Sequence, residues 1–196
     1  MFVAVFGFVG MFLLKSEKKS GEPLEEAAST WNIFSNSGDS GSSGTVTNIA
    51  VGEKTSEAQD TVEGVRYVNS SYGFSLIHPK NMSATTLDEE DGETILIQEK
   101  EGTKSFQIFI MPWDEPEYTV ITPKRIKQDL LDFVVDDPKE AVLADGTHAL
   151  LFWSKEDGSG KTREVWIIHG EYLYQISALA DLDSLLARIM GTWKFE

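Results

Sequence analysis

The chain has 196 residues, with 17 basic and 32 acidic side chains and a formal charge of −15. Hydrophobic residues make up 41%, and there is no cysteine. This acidity excludes nucleic acid as the main partner, which needs a basic patch. The missing cysteines exclude a disulfide scaffold, a thiolate metal site, a cysteine nucleophile and a cysteine-linked lipid anchor.

Residues 1–14 read MFVAVFGFVGMFLL, with no charge to interrupt them. As a helix they would span about 21 Å, short of the roughly 20 apolar residues that a bilayer core requires. No basic stretch precedes the run, and Lys15, Lys18 and Lys19 follow it. Three readings stay open: a truncated anchor, an anchor with the lysines inside, or the hydrophobic part of an export signal. The expectation is a truncated anchor or signal segment, with the remaining chain outside the cytoplasm.

Residues 15–64 are rich in Ser, Gly, Glu and Thr, including SNSGDSGSSGT. Such a stretch offers too little apolar surface to offset its own ordering, so it reads as a flexible linker. Trp31, Ile33 and Phe34 are the exception, suited to a membrane surface or to docking on the domain. From residue 65 aromatic and β-branched residues become frequent. Residues 65–196 carry 13 basic and 23 acidic side chains, against 4 and 9 before them, so acidity is not confined to a tail.

The predicted elements of this domain follow in order. Arg66–Asn69 and Tyr72–His78 read as strands, the second ended by Pro79, which cannot donate to a ladder. Glu93–Gln98 and Ser105–Met111 follow. In the latter, Phe106, Ile108 and Ile110 alternate with Gln107, Phe109 and Met111, so both faces are fairly apolar. Thr122 and Pro123 begin a helix with Ile126, Leu130 and Phe133 or Val134 as its apolar stripe, ended by Asp136, Asp137 and Pro138. Strands are predicted at Ala141–Leu143, Thr147–Ser154, Thr162–His169 and Tyr172–Ala178, with hairpin turns at residues 155–161 and at Gly170-Glu171. A last helix starts near Asp181 and ends near Gly191. Short connections force antiparallel neighbours, so the class is α+β, a mainly antiparallel sheet flanked by helices.

Few residues present themselves for chemistry. His78, His148 and His169 each lie in or at the end of a predicted strand, without a close pair of metal ligands. Gly158-Ser159-Gly160-Lys161-Thr162 has the tail of a phosphate loop. Lys155 stands where its first glycine belongs, and the segment joins two strands instead of a strand and a helix, so it reads as a hairpin. There is no G-x-S-x-G and no dinucleotide fingerprint, and no cofactor is expected. The acidic runs Asp88–Glu93 and Asp114–Glu117 lack EF-hand spacing. They read first as solvated loops, with a divalent-cation site at Asp88–Glu93 as an alternative. Most aromatics, including Trp153, Trp166, Trp193, Tyr72, Phe74, Tyr172 and Tyr174, read as packing. Trp113 is the candidate for an exposed partner contact.

Two stretches together resemble the PsbP-like family. One is the opening, Tyr67 to Pro79, with Tyr72-Gly73-Phe74-Ser75-Leu76. The other is the close, with Tyr174-Gln175-Ile176, a helix over 181–190, and Thr192-Trp193-Lys194-Phe195. Asn81-Met82 departs from the family, whose members often carry tryptophan or phenylalanine there. The resemblance implies an α/β/α arrangement, a secreted or lumenal location and a binding role without catalysis. The functional expectation is a non-enzymatic, membrane-tethered, extracytoplasmic module that binds a protein or cell-envelope component. The alternatives are a divalent-cation binder or a hydrolase using dispersed carboxylates.

Overall fold

A computed structural model describes residues 63–115, 120–156 and 160–196. The Met1–Leu14 run, most of the predicted linker, and Trp31, Ile33 and Phe34 lie outside the described residues. Among the described residues, no helix is long and apolar enough to cross a membrane.

The described chain forms ten strands and two α-helices. In order they are β1 (Gly64–Asn69), β2 (Phe74–Pro79), β3 (Met82–Glu89), β4 (Gly92–Glu99), β5 (Ser105–Pro112), α1 (Pro123–Asp129), β6 (Asp136–Val142), β7 (His148–Glu156), β8 (Gly160–His169), β9 (Tyr172–Leu179), α2 (Asp183–Met190) and β10 (Lys194–Phe195). A seven-stranded sheet runs β3-β4-β5-β9-β8-β7-β6, and a smaller sheet runs β1-β2-β10. Every pairing is antiparallel. The expected antiparallel α+β character is therefore what the chain adopts.

Strand periodicity divides the core in two. One cluster joins Ile95, Ile97, Ile108, Ile110, Ala149, Leu151, Val165, Ile167, Tyr174 and Ile176 on the first face of the large sheet. Over this face lie Phe74 and Leu76 of the small sheet and Leu186, Ile189 and Met190 of α2. The intervening residues point to the second face. There Leu150, Phe152, Trp166, Ile168 and Leu173 pack with Ile126 of α1.

The two stretches that carry the family resemblance meet in space. Phe195 pairs with Phe74 across β10 and β2, and Trp193 stacks flat on Phe74 at 4.4 Å between ring centroids. Tyr174 approaches both rings edge-on at 5.8 and 6.1 Å. Such offset and edge contacts suit the ring quadrupoles and add to the area buried. Gly73 has φ +63, a left-handed conformation that glycine adopts at no steric cost, and its carbonyl accepts the Glu196 N–H.

Three expected boundaries differ. β3 was not predicted, because MSATTLDE has few apolar residues to mark an alternation. α1 stops at Asp129: Leu130 is its C-cap at φ −126, and Phe133 lies beyond it. Asp136 to Pro138 do not end the helix, which stops seven residues earlier; they begin β6, tolerable because β6 is an edge strand.

Candidate binding surface

Alternation assigns each side chain of β3 to β5 to a face. Met82, Ile95, Ile97, Phe106, Ile108 and Ile110 belong to the first cluster, with Ala84 packed against it. Ser83, Thr85, Leu87, Thr94, Leu96, Gln107 and Phe109 therefore lie on the second face. Register sets Leu87 beside Thr94, Thr94 beside Phe109, and Leu96 beside Gln107.

The cover of this second face is uneven. Its cluster draws on β7, β8 and β9, with Met111 and Trp113 at the border, and includes no side chain of β3 or β4. Leu87, Leu96 and Phe109 stay half-buried. Among the described residues, α1 and its flanks cover only half of the sheet. The sequence signal for this was the apolar second face of β5. It suggested cover on both sides, whereas Met111 is packed into the cluster and Phe109 is not a member of it.

Trp113 stands where cover gives way to the open half. Pro112 closes β5, and the Trp113 backbone N–H donates to the Glu171 carbonyl. The indole is half-buried against the second cluster, and its Nε1–H donates to the Glu115 carbonyl at 2.9 Å. The Arg125 guanidinium lies 5.9 Å from the ring centroid and pairs with Glu115 and Asp129. Thr122 caps α1 by accepting the Arg125 N–H, as expected of a cap before a first-turn proline.

The Asp88–Glu93 run is a tight hairpin, with Glu89 opposite Gly92 and only Glu90 and Asp91 in the turn. Glu89 accepts a hydrogen bond from the Thr94 hydroxyl. Asp88 and Glu93 lie opposite each other on the first-face side, near Tyr72. Burial pushes the Tyr72 hydroxyl above its ordinary value, and Glu93, Tyr172 and Asp88 push the same way. Residues 116–119 of the second acidic run lie outside the described residues.

The histidines are dispersed. His78 is buried in β2, with Nδ1 2.9 Å from the Pro79 carbonyl, a contact that makes Nδ1 the donor. His148 is exposed at the start of β7. His169, at the end of β8, stacks on Phe195 at 3.7 Å. Among the described residues no group of three His, Asp or Glu is placed to hold a metal ion. The hairpin expected at residues 155–161 joins β7 and β8, which pair from Ala149 opposite Ile167 to Glu156 opposite Gly160.

No family model matches the sequence, and no curated protein is significantly similar to it. Among solved structures, the chain is similar to the solution structure of cyanobacterial PsbP (CyanoP) from Synechocystis sp. PCC 6803. The TM-score is 0.48 and the identity 8%, over 67% of this chain and 92% of that one. A likeness of that extent transfers no residue role, partner or activity.

Proposed function

We propose that this protein is a non-catalytic binding module for a protein partner, and that the partner seats on the open half of the large sheet's second face. The observation that carries the reading is the uneven cover: α1 shields the β7–β9 half, while Leu87, Leu96 and Phe109 stay part-exposed beside Thr85 and Gln107. A flat surface mixing apolar and neutral polar side chains suits a protein interface. Covering what remains exposed of three such apolar side chains contributes on the order of 1–2 kcal/mol before the cost of association. Trp113, at the border, is the aromatic contact of this surface.

In the same reading the domain covers 65–196 in a PsbP-like arrangement of helices on both sheet faces. Ile126 on one face and Leu186 and Ile189 on the other support it. Residues 1–14 form the membrane segment and 15–64 a flexible stalk that holds the domain outside the cytoplasm. The charge-free run of Met1–Leu14 and the Ser/Gly-rich stretch after it support this part. A stalk of this kind raises the domain's effective concentration near the membrane.

The test uses the full tagged chain as bait on solubilised membranes, beside the variants Leu96→Asp and Trp113→Ala. Leu96→Asp puts a charge in the middle of the surface without touching the core. One protein retained by the wild type and lost with Leu96→Asp, at unchanged circular dichroism, supports the reading. Retention unaffected by both variants, or turnover on a hydrolase substrate panel, overturns it.

A further inference from the structure

The large sheet has two edges, and they are built differently. β6 carries Pro138 and Lys139, a register shift between Asp136 and Lys139, and Asp137 at φ +47. Proline, lysine and irregular register are the devices by which an edge strand resists pairing with another chain. β3 lacks all three, and its only charges, Asp88 and Glu89, stand together at its last two positions. Its eight residues keep unbroken register with β4 from Met82 opposite Glu99 to Glu89 opposite Gly92. They contain no proline, glycine or lysine, and Thr85 and Thr86 are exposed. Among the described residues, no strand pairs with the outer side of β3.

We infer that β3 is a pairing edge whose occupant is β3 of a second copy of this chain, joined antiparallel about a two-fold axis near Thr85. The charges at the two ends of the strand select this occupant. At one end stand Asp88, Glu89, Glu90, Asp91 and Glu93. The other end holds Lys80, Lys100 and Lys104 with Glu99 and Glu101. The Lys100 N–H donates to the Asn81 carbonyl, and the Lys104 carbonyl accepts the Glu99 N–H. An antiparallel two-fold brings the acidic end of each strand against the lysine-bearing end of the other.

Centring the axis on Thr85 sets that residue opposite itself and Leu87 opposite Ser83, and brings the hairpin turn that carries Glu90 to the same end as the partner's turn with Lys80. A cross-strand threonine pair is favourable in an antiparallel ladder. The net charge of −15 opposes any self-association. Screening confines that repulsion to about 8 Å at physiological ionic strength, so the local match at the edge decides. The axis must run perpendicular to the sheet, because only then do opposed residues share a face. The open second-face halves of the two copies thus join into one continuous surface. The pairing itself does not depend on what that surface binds.

The test is sedimentation of the full chain across the micromolar range, with two kinds of variant. The wild type is expected to rise from one-chain to two-chain mass as concentration increases. Thr85→Lys, which sets two like charges against each other on the axis, should stay at one-chain mass with unchanged circular dichroism. Mixing it with Thr85→Glu should restore the two-chain species. Because the chain has no cysteine, Thr85→Cys gives a single thiol. Paired strands bring that thiol within disulfide range of its copy. It should cross-link at least tenfold faster than Val68→Cys on the exposed edge of β1. A wild type that stays at one-chain mass, association that survives Thr85→Lys, or equal cross-linking at the two positions overturns the inference. Each result is independent of whether a partner protein is retained on the open face.

Discussion

Arg163 Nε donates to Asp183 Oδ1 at 2.7 Å, with side chains only 8% and 3% exposed. The pair ties the middle of β8 to the first residue of α2. The Arg163 guanidinium also lies 3.6 Å from the Trp153 ring centroid, a cation–π contact across the β7–β8 ladder. Removing one member of a buried ion pair takes the near opposite charge from the other in a poorly solvated place. Asp183→Ala should therefore lose about 3–5 kcal/mol. Arg163→Met with Asp183→Leu buries no charge and should lose less than Asp183→Ala alone. Denaturant unfolding of Asp183→Ala, and of Arg163→Met, Asp183→Leu and their double as one cycle, checks this. Simple additivity of the two losses would show that the pair is not coupled.

At Gly92, the first residue of β4, an added Cβ would lie 2.2 Å from the Ile110 carbonyl oxygen, which is backbone and part of the core strand β5. Gly92→Ala must push β4 from β5 and should cost about 1–3 kcal/mol, as overpacking does. Gly170 offers the opposite case: φ is +59, with nothing within 4 Å of an added Cβ. Asparagine tolerates that left-handed conformation, so Gly170→Asn should be nearly neutral. Thermal unfolding of the two variants separates lack of space from lack of conformational freedom.

Most of the domain's framework was legible because burial writes a period of two into a strand. Phe106-Ile108-Ile110 gave β5 almost to the residue, whereas β8, buried on both faces from Arg163 to Ile168, was legible as a continuous apolar run bounded by turns. β3 was not legible for the opposite reason. An edge strand that leaves its middle in solvent, with Thr85 and Thr86 both exposed, has no apolar face to alternate. The end of α1 was misplaced because Leu130 and Phe133 continue the helical spacing. They do pack against the second cluster, but from a turn beyond the helix. The open surface was the hardest to read. Leu96 and Phe109 look like core residues in sequence, and only the reach of α1 decides that their half is left uncovered.

Tyr174 is buried among Phe74, Trp193 and Phe195, and its hydroxyl donates to the Tyr72 carbonyl at 2.9 Å. Burial, with Tyr172 and Tyr72 nearby, pushes its hydroxyl well above the ordinary tyrosine range. A raised folded value contributes stability that is complete below the unfolded value near 10 and is lost as pH rises through the folded one. Tyr174→Phe should cost about 1–2 kcal/mol at neutral pH. In the wild type, tyrosinate absorbance should rise in two stages, the later one coinciding with alkaline unfolding. A single stage near pH 10 without unfolding would contradict the buried hydrogen bond.

Asp145 links the β6–β7 turn to the end of the chain. Its Oδ1 accepts the Thr147 N–H at 2.9 Å, and its Oδ2 accepts the Phe195 N–H at 3.1 Å. Burial pushes its carboxyl up, but the two backbone N–H groups, the Thr147 hydroxyl and the His169 charge outweigh it, and the net direction is down. A depressed folded value gives stability that is present above the unfolded value near 3.9 and is lost as pH falls through the folded one. The carboxylate is exposed, so solvent screening limits the contribution to about 1 kcal/mol. Asp145→Asn should lower the urea midpoint at pH 7, and that deficit should shrink below pH about 4 as the wild-type carboxylate takes up its proton. A deficit of constant size from neutral to acid would mean that shape alone, and not the charge, holds the Phe195 N–H.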